Sequence, residues 1–562
     1  MQNRIFSLVS RLFKRMPLNL RKKIVLAGLL AFIMLQEVAL AEETAIAPIQ
    51  QVPTGQSVKQ ETQPASFDLW ELRVKGNTLL DKKELERTVY PFLGPQKSID
   101  QVEAARLALE RLYQGKGYQT VTVDIPEQAV QQGVVNLLVV EGKVSRLRVT
   151  DSRYFALGKI KATVPEVAEG NVPNFKVMQK QLGDLASQSA DRKIQPILRA
   201  GETPGTLEVD LKVKDELPLH GRVELNGRNT TSTSRLRLVS SLRYDNLWQK
   251  FHSASFSFQT SPENNSEVEV FSGTYVLPWF ETDARLALFA VSSNSNAQIA
   301  SAGALNVVGI GSVYGLRFIK PFTSFNSYNH SLTLGADYKD FQEDLRLVGA
   351  DSILTPISYL PFLTQYAGSF RGNGYASSFD LGLYFSIRGL GNRQAEFENK
   401  RFLARSNYAY LRGNLNFKYD LPKGWGVSSR FSGQVADSPL ISNEQFSIGG
   451  ASSVRGYFET QVLADDGFVG SLEFISPDFV PDGWEFVNKL SALVFVDAGT
   501  SSIKNALPGN SQGNTLASAG AGLHFKLAKI FSAALDLGFP FVSIDRVKSG
   551  DPRLHFSLAT DF

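Results

Sequence analysis

Residues 553–562 read Arg-Leu-His-Phe-Ser-Leu-Ala-Thr-Asp-Phe, and this stretch indicates the fold class. Apolar and polar side chains alternate along it, which is typical of a β-strand with two different faces. The apolar face, which would meet lipid, carries Leu554, Phe556, Leu558 and Phe562, and the face toward a lumen carries Arg553, His555, Ser557 and Asp561. An unpaired strand edge in hydrocarbon is very costly, so a membrane barrel must close. We therefore expect this strand to pair with a first strand near residues 219–226.

The same alternation recurs over residues 218–562, for example at 253–258, 285–289 and 331–338. A soluble β-sandwich also alternates, but an uninterrupted region of 345 residues with strands of nearly membrane-spanning length favours a membrane barrel. Aromatic residues recur near strand ends, as interfacial girdles require: Tyr275, Trp279, Phe280, Tyr338, Tyr384 and Tyr419. At about 20 residues per strand and connection, the region predicts an antiparallel transmembrane β-barrel of roughly 16 strands.

Two smaller units precede this region. Residues 67–142 predict the order β-α-α-β-β, with Ser98 and Gln101 placed as a capping box at the start of the second helix. Residues 143–217 repeat the order and end in a strictly alternating strand, 207–213. The fold class is therefore mainly β, with two small α/β domains ahead of the barrel.

The first 66 residues predict a signal peptide followed by a linker. Residues 1–41 combine a basic stretch, a 12-residue apolar run and Ala39-Leu40-Ala41, the three parts of a secretory signal peptide. The run is too short to cross about 30 Å of hydrocarbon as a helix. Residues 42–66 are rich in Pro, Gln, Thr and Ala and predict a flexible linker. They show no amphipathic helix that could plug a pore.

Composition excludes several classes of protein. Without residues 1–41, the 59 basic and 55 acidic residues fall to 52 and 54, so the charge gives no support for nucleic-acid binding. The absence of Cys and the presence of only five His argue against thiol catalysis and common metal sites. No phosphate-binding loop or catalytic constellation is visible, and we read Asp465-Asp466 as solvated turn residues. We expect no enzyme activity, cofactor or metal.

Residues 444–457, Glu-Gln-Phe-Ser-Ile-Gly-Gly-Ala-Ser-Ser-Val-Arg-Gly-Tyr, carry a more specific signal. They resemble the signature of two-partner secretion transporters, the TpsB family that includes FhaC, ShlB and HecB, within the BamA-like superfamily of barrels with periplasmic POTRA domains. Phe495-Val496-Asp497-Ala498-Gly499 resembles the second signature of that superfamily. Residues 204–206 and 243–247 also look like this family. The resemblance covers nearly everything after the linker.

The resemblance implies a loop at about 440–466 that folds back into the pore. Its tip would carry Val454, Arg455, Gly456 and Tyr457, and Arg455 would form a lumen latch with Asp497. An unpaired buried guanidinium is very costly, and a carboxylate can accept its two-pronged hydrogen bond. Phe495 and Gly499 would complete the second signature. The ordinary alternative for Arg455-Gly456 is an exposed turn.

The resemblance further implies type V secretion: POTRA domains bind an unfolded partner in the periplasm, and the barrel exports it without ATP. The partner would be a large secreted β-helical haemolysin or adhesin, bound by β-augmentation at exposed strand edges. The protein would be a monomer in the Gram-negative outer membrane, in contact with its lipid, and the barrel assembly machinery would read the strand ending at Phe562. Two alternatives stay open: a BamA-like factor that inserts other barrels, and a passive porin.

Overall fold

A computed structural model describes residues 66–562, apart from 188, 280–281, 296–297, 303–304, 326, 343, 346–352, 482, 510 and 529. The predicted signal peptide, nearly all of the predicted linker, any plug helix and Phe280 lie outside the described residues. No helix among the described residues is both long and apolar enough to cross a membrane.

The first small unit is an α/β sandwich. Its elements are β1 (Phe67–Leu69), β2 (Glu71–Lys75), α1 (Lys82–Val89), β3 (Gly94–Lys97), α2 (Ile99–Lys116), β4 (Val121–Asp124) and β5 (Val134–Glu141). The sheet order is β2-β5-β4, and β1 pairs with β3 beside it. Ser98 and Gln101 form the predicted capping box of α2, and Gly117, at φ 107°, ends that helix in the left-handed region. One face of α2 buries Val102, Ala105, Leu109 and Tyr113 against the sheet.

The second small unit has the same plan. It contains β6 (Lys143–Thr150), α3 (Leu157–Thr163), α4 (Phe175–Ser187), β7 (Arg192–Ala200) and β8 (Thr206–Asp215), and its sheet order is β6-β8-β7. A separate apolar cluster forms its core. The predicted order lacks the pair β1 and β3, because the break at Trp70 divides the predicted first strand into two and β3 was not predicted.

The remaining strands begin with β9 at the end of the second unit. Their bounds are β9 (Leu219–Asn226), β10 (Arg237–Leu247), β11 (His252–Thr260), β12 (Glu269–Pro278), β13 (Arg285–Ser293), β14 (Gln298–Ala302), β15 (Leu305–Val308), β16 (Gly311–Pro321), β17 (Tyr328–Phe341), β18 (Asp344–Leu345), β19 (Ile353–Leu354), β20 (Ile357–Tyr359), β21 (Pro361–Gly372), β22 (Tyr375–Ser386), β23 (Ala409–Asp420), β24 (Gly426–Ala436), β25 (Phe446–Ile448), β26 (Val462–Ala464), β27 (Asp466–Ile475), β28 (Val487–Ser502), β29 (Thr515–Leu527), β30 (Phe531–Pro540) and β31 (Arg553–Asp561). A fifth helix, α5 (Gln394–Lys400), lies between β22 and β23. Short 3₁₀ turns occupy Tyr90–Phe92, Pro165–Val167, Pro422–Gly424 and Ser442–Glu444.

These strands close into an antiparallel barrel. β20 and β21 pair with successive parts of β17 and together act as one strand, which gives 16 strands in all. The hairpins β14–β15, β18–β19 and β25–β26 are separate two-stranded sheets and are not strands of the wall. The last strand pairs with the first, from Ser557 opposite Asn226 to Asp561 opposite Arg222. The predicted closed 16-stranded barrel is therefore confirmed.

The last strand has the two faces that its sequence predicts. Leu554 is 53% exposed on the outside, whereas His555 is 4% exposed and points into the interior. Phe562 lies over Gly221 of β9, where any side chain would overlap its ring. Backbone hydrogen bonds run in both directions between Gly221 and Phe562, with N–O distances of 2.8 and 2.9 Å, so the seam is paired to its final residue.

The second small unit is fixed to the barrel by the turn between β10 and β11. Phe251 of this turn and Phe155 of the second unit lie on Arg192, with ring centroids 4.2 and 4.8 Å from the guanidinium carbon. Asn246 and Gln249 donate to the Tyr154 carbonyl at 3.0 and 3.2 Å. Apolar packing, cation–π contacts and hydrogen bonds thus hold one junction.

Candidate functional site: a loop held inside the barrel

Residues 437–465, which connect β24 to β27, fold back into the barrel; we call them the pore loop. β9 starts beside the small units and successive strands alternate in direction, so this connection leaves the wall at the opposite rim. β25 and β26 pair within it as a three-residue ribbon. Its apolar side chains join residues of the wall and of the β30–β31 connection in one buried cluster: Phe446, Ile448, Val454, Tyr457, Val462, Val469, Leu516 and Val547. The loop therefore has a packed core of its own within the lumen.

Arg455 and Asp497 meet at the tip of the pore loop. Arg455 Nε lies 2.7 Å from Asp497 Oδ2, and Nη2 lies 2.9 Å from Oδ1. The backbone N–H of Arg455 donates to Oδ2 at 3.0 Å. Both residues are buried, at 1% and 0% exposure. This two-pronged pair fixes the orientation as well as the position of the guanidinium.

The Arg455 guanidinium also has partners that sequence reasoning missed. Nη1 lies 2.9 Å from a carboxylate oxygen of Glu473 on β27 and 3.6 Å from one of Asp536 on β30. The Phe495 ring centroid is 3.4 Å from the guanidinium carbon. One guanidinium thus contacts carboxylates on three wall strands, and two of them have a second partner: Arg430 for Glu473 and His524 for Asp536. Alternation along β27 and β30 could have placed these acids on the inner face, but not their register toward Arg455.

The remaining tip residues fit closely against the wall. Gly456 adopts φ 90°, and its N–H donates to His555 Nε2 at 2.9 Å. A Cβ on Gly538 would lie 2.6 Å from the Gly456 nitrogen, so both glycines are needed for this approach. The Tyr457 hydroxyl is 3.0 Å from the carbonyl oxygens of Ala517 and Val542. Val454 is fully buried and lies against Gly499.

The interpretation of Asp465-Asp466 as solvated turn residues is wrong. Asp465 is 0% exposed and receives Arg401 in a two-pronged pair, with Nη2–Oδ2 at 2.7 Å. Asp466 is 9% exposed and forms an ion pair with Lys504 at 2.7 Å. The burial of Asp465 cannot be predicted from the local sequence, two acids next to Gly467, because the arginine that pairs with it comes from a connection 64 residues away.

In the described residues, one trio has donor atoms close enough to consider for a metal ion: Asp191, His220 and Asp245 at the junction of the second unit and the barrel. Asp245 Oδ2 already accepts Arg243 Nε at 2.9 Å, and Asp191 Oδ2 accepts the Ser189 hydroxyl at 3.0 Å. Arg192 lies beside Asp191. His220 Nε2 already lies 3.0 Å from Asp191 Oδ1 and Arg243 pairs with Asp245, so we do not interpret this trio as a metal site.

Comparison with known proteins identifies the architecture. The family model described as haemolysin secretion/activation protein ShlB/FhaC/HecB matches residues 205–525, and the ShlB-type POTRA domain model matches residues 67–142. The outer membrane transporter CdiB of Dickeya dadantii is 24% identical over 436 residues, covering 71% of each chain. The heme/hemopexin transporter protein HuxB of Haemophilus influenzae is 21% identical over 440 residues, covering 74% of this chain and 73% of HuxB.

Solved structures show the same fold. CdiB from Escherichia coli superposes with a TM-score of 0.65 at 19% identity, covering 90% of this chain and 93% of CdiB. BamA from Haemophilus ducreyi lacking POTRA domains 1–3 gives 0.54 at 14% identity, covering 88% and 100%. CdiB and BamA therefore both share the fold of this chain, so the fold alone does not decide between their two families. The family model, which spans more than half of the chain, does. The protein belongs to the ShlB/FhaC/HecB family of haemolysin secretion/activation proteins, the outer-membrane transporters of two-partner secretion.

Proposed function

We propose that this protein exports one large secreted partner, which its POTRA domains bind unfolded in the periplasm and which leaves through the barrel. Members of its family lie in the outer membrane with their POTRA domains in the periplasm. The pore loop is the observation that carries the proposal, since a packed loop tied to three wall strands occupies lumen space that the cargo needs. The partner is a β-helical protein of the haemolysin or adhesin type.

Transport of this kind needs no bound nucleotide. The partner folds after it emerges, and folding removes the unfolded chain from the pore and draws further chain outward. We propose transport rather than catalysis as the whole activity, with no cofactor. The closed barrel satisfies its own strand edges, so a single copy in the outer-membrane lipid suffices. We also propose that the barrel assembly machinery recognises β31, which ends next to Phe562.

Loss of the gene separates this function from barrel assembly. An exporter mutant should lose one or two extracellular proteins and keep its other outer-membrane barrels. An assembly-factor mutant would lose many barrels at once. Quantitative proteomics of the medium and of the outer membrane measures both outcomes. Family membership favours the first, and a large secreted β-helical chain encoded beside this gene would name the partner.

We propose that the partner meets the first POTRA domain at β4, the edge of its sheet. This edge is guarded by α2. Arg106 Nη1 donates to the Val123 carbonyl at 3.1 Å, and the Val123 N–H points to a Glu110 carboxylate oxygen at 3.4 Å. Hydrogen bonds with Glu103 and the charge of Glu110 raise the pKa of Arg106. Occupied edge groups prevent indiscriminate strand pairing, so a partner must displace them.

Removing the guard should strengthen partner binding. In the full-length protein, Arg106→Ala with Glu110→Ala frees the outer backbone groups of Val123. We expect the partner's N-terminal segment to bind about fivefold more tightly, since a hydrogen bond that no longer has to be exchanged is equivalent to about 1 kcal/mol. Val123→Pro removes the edge N–H and should weaken binding.

Val123→Ala is the matched control, because it loses similar packing but keeps the N–H. Affinity is measured by surface plasmon resonance on protein in nanodiscs. Equal binding by the Pro and Ala variants would exclude β4 as the docking edge.

A further inference from the structure

The base of the pore loop, residues 440–446 and 464–466, has its own set of buried charges, distinct from the tip. Glu444 is 2% exposed. Its carboxylate accepts Lys339 Nζ at 2.6 Å and the hydroxyls of Tyr359 and Tyr410 at 2.7 Å each. These partners come from β17, β20 and β23. A buried carboxylate that receives three donors from the wall holds its own backbone in one place.

Asp465 is a second buried carboxylate, and it holds the other end of the base in place. Besides the ion pair with Arg401, its oxygens accept the backbone N–H groups of Leu440 and Lys504 at 2.9 and 2.7 Å. Arg401 directly follows α5, and Lys504 follows β28. The returning arm of the loop is therefore fixed to two further connections at the same rim. Removing one partner of such a buried pair would leave an uncompensated charge.

Gln434 ties the two ends together. Its Nε2 donates to the carbonyl oxygens of both Glu444 and Asp465, at 3.1 Å each. Its Oε1 accepts Arg412 Nε at 2.8 Å, and the residue is 1% exposed. One side chain on β24 thus spans the gap between the outgoing and returning arms.

The segment between base and tip packs on the wall through the apolar side chains of Ile448 and Val462 and carries no charged residue. The β25–β26 ribbon has only three residue pairs. Gly449 and Gly450 follow it at φ 110° and 104°, and Thr460 on the returning arm has φ 53°. Both arms therefore leave the ribbon through residues in the left-handed region, which form natural boundaries between two bodies.

We propose that the pore loop is two units: a base that Glu444, Asp465 and Gln434 lock to the rim, and a tip, residues 449–461, that can leave the wall while the base stays. Glu444 and Gln434 are positioning residues of the loop. The proposal deepens the proposed function by defining which part of the loop moves, but its test measures loop position and requires no secretion.

Cysteine labelling tests the two units separately, because the chain has no native Cys. Ile441→Cys reports on the base and Val454→Cys on the tip, at residues that are 1% and 0% exposed. Each is combined with Arg455→Ala or Glu444→Gln in the full-length protein in nanodiscs, and maleimide labelling rates are measured. We expect Arg455→Ala to raise labelling at position 454 at least about tenfold and to leave position 441 protected, since labelling follows the population of the locally open form.

Glu444→Gln should give the opposite pattern, with position 441 labelled and position 454 protected. Gln434→Leu should also expose position 441 and serves as a second variant. Lys339→Met should act like Glu444→Gln, whereas Lys320→Met on the neighbouring strand β16 is the matched control and should change neither rate. Heat-modifiable mobility in gel electrophoresis confirms that each barrel is folded.

Equal exposure of both positions by Arg455→Ala would show that the loop moves as one body and would overturn the proposal. Continued protection of position 441 in Glu444→Gln and Gln434→Leu would overturn the role of these residues. Rapid labelling of position 441 in the otherwise unchanged chain would do so as well. Secretion of the partner, measured separately, tests the proposed function and leaves these outcomes unaffected.

Discussion

Arg455→Ala should nearly abolish partner secretion while the barrel stays folded and inserted. The change leaves Asp497 buried without its cation, whereas Glu473 and Asp536 keep Arg430 and His524 as their other partners. Breaking a buried ion pair from one side costs about 3–5 kcal/mol. Every 1.4 kcal/mol is a factor of about ten, so the docked tip should become a minor population. The barrel keeps its closed ladder of backbone hydrogen bonds, which this side chain does not enter.

Asp497→Ala should have the same direction and a smaller effect, because Arg455 keeps Glu473 as a partner at 2.9 Å. The double variant should be no worse than the worse single variant, since the shared interaction is already lost. Secreted partner and single-channel conductance are measured for all three variants at matched surface abundance. We expect conductance to rise as the tip leaves the wall.

Arg317→Ala provides the matched control. Arg317 pairs with Asp337 across β16 and β17, with Nη2–Oδ2 at 3.0 Å, so it is another largely buried arginine–aspartate pair of the barrel. It should leave secretion close to the level of the unchanged chain. Additive losses in the Arg455 and Asp497 double variant would show that the two residues act separately. Normal secretion by Arg455→Ala would remove the latch role despite the short distance.

Deletion of residues 67–142 should also abolish secretion, for a different reason. We propose that the partner makes its first contact with this POTRA domain, so its loss removes capture rather than passage. The barrel should insert normally, because all its wall strands lie after residue 218 and the turn at Phe251 packs on the core of the second small unit, which the deletion retains. Immunoblotting of the medium measures secretion, and surface abundance and heat-modifiable mobility measure insertion.

Val123→Ala in the intact chain is a useful companion to this deletion, because it keeps the domain and its edge hydrogen bonds. It should secrete far more partner than the deletion variant does. Secretion at the normal level from the chain without residues 67–142 would mean that the domain has no part in partner recognition.

Alternation, together with the length of the region and the aromatic residues near strand ends, was enough to predict the barrel, its strand number and the pairing of residues 553–562 with 219–226. A strand's two faces are visible in local sequence because the period of its side chains is two. The Arg455–Asp497 contact followed from family resemblance, since the residues alone supply only two candidate charges. β3, which pairs with β1 before the break at Trp70, was missed because its four residues include a proline and make a weak strand signal.

The base of the pore loop could not be predicted in the same way. Glu444 meets Lys339 across 105 residues and Tyr359 across 85 residues, and no local pattern encodes such distances. Asp465 looked like a turn acid because its partners lie on other connections. Side chains that enter a lumen from a loop obey neither the helical nor the strand period, so their burial depends on tertiary packing alone.

The clamp of Phe155 and Phe251 around Arg192 has a consequence for the traffic of the partner. A domain joined to the barrel by a flexible linker would adopt many positions and would bring its cargo to the pore only at random. The second small unit is instead fixed to the turn between β10 and β11, so a segment that the first unit passes to it arrives at one position beside the barrel. Its cargo then experiences an effective concentration set by a fixed distance, which for short tethers reaches about the millimolar range. The bound segment of the partner then has only a short, defined distance to travel before it enters the pore.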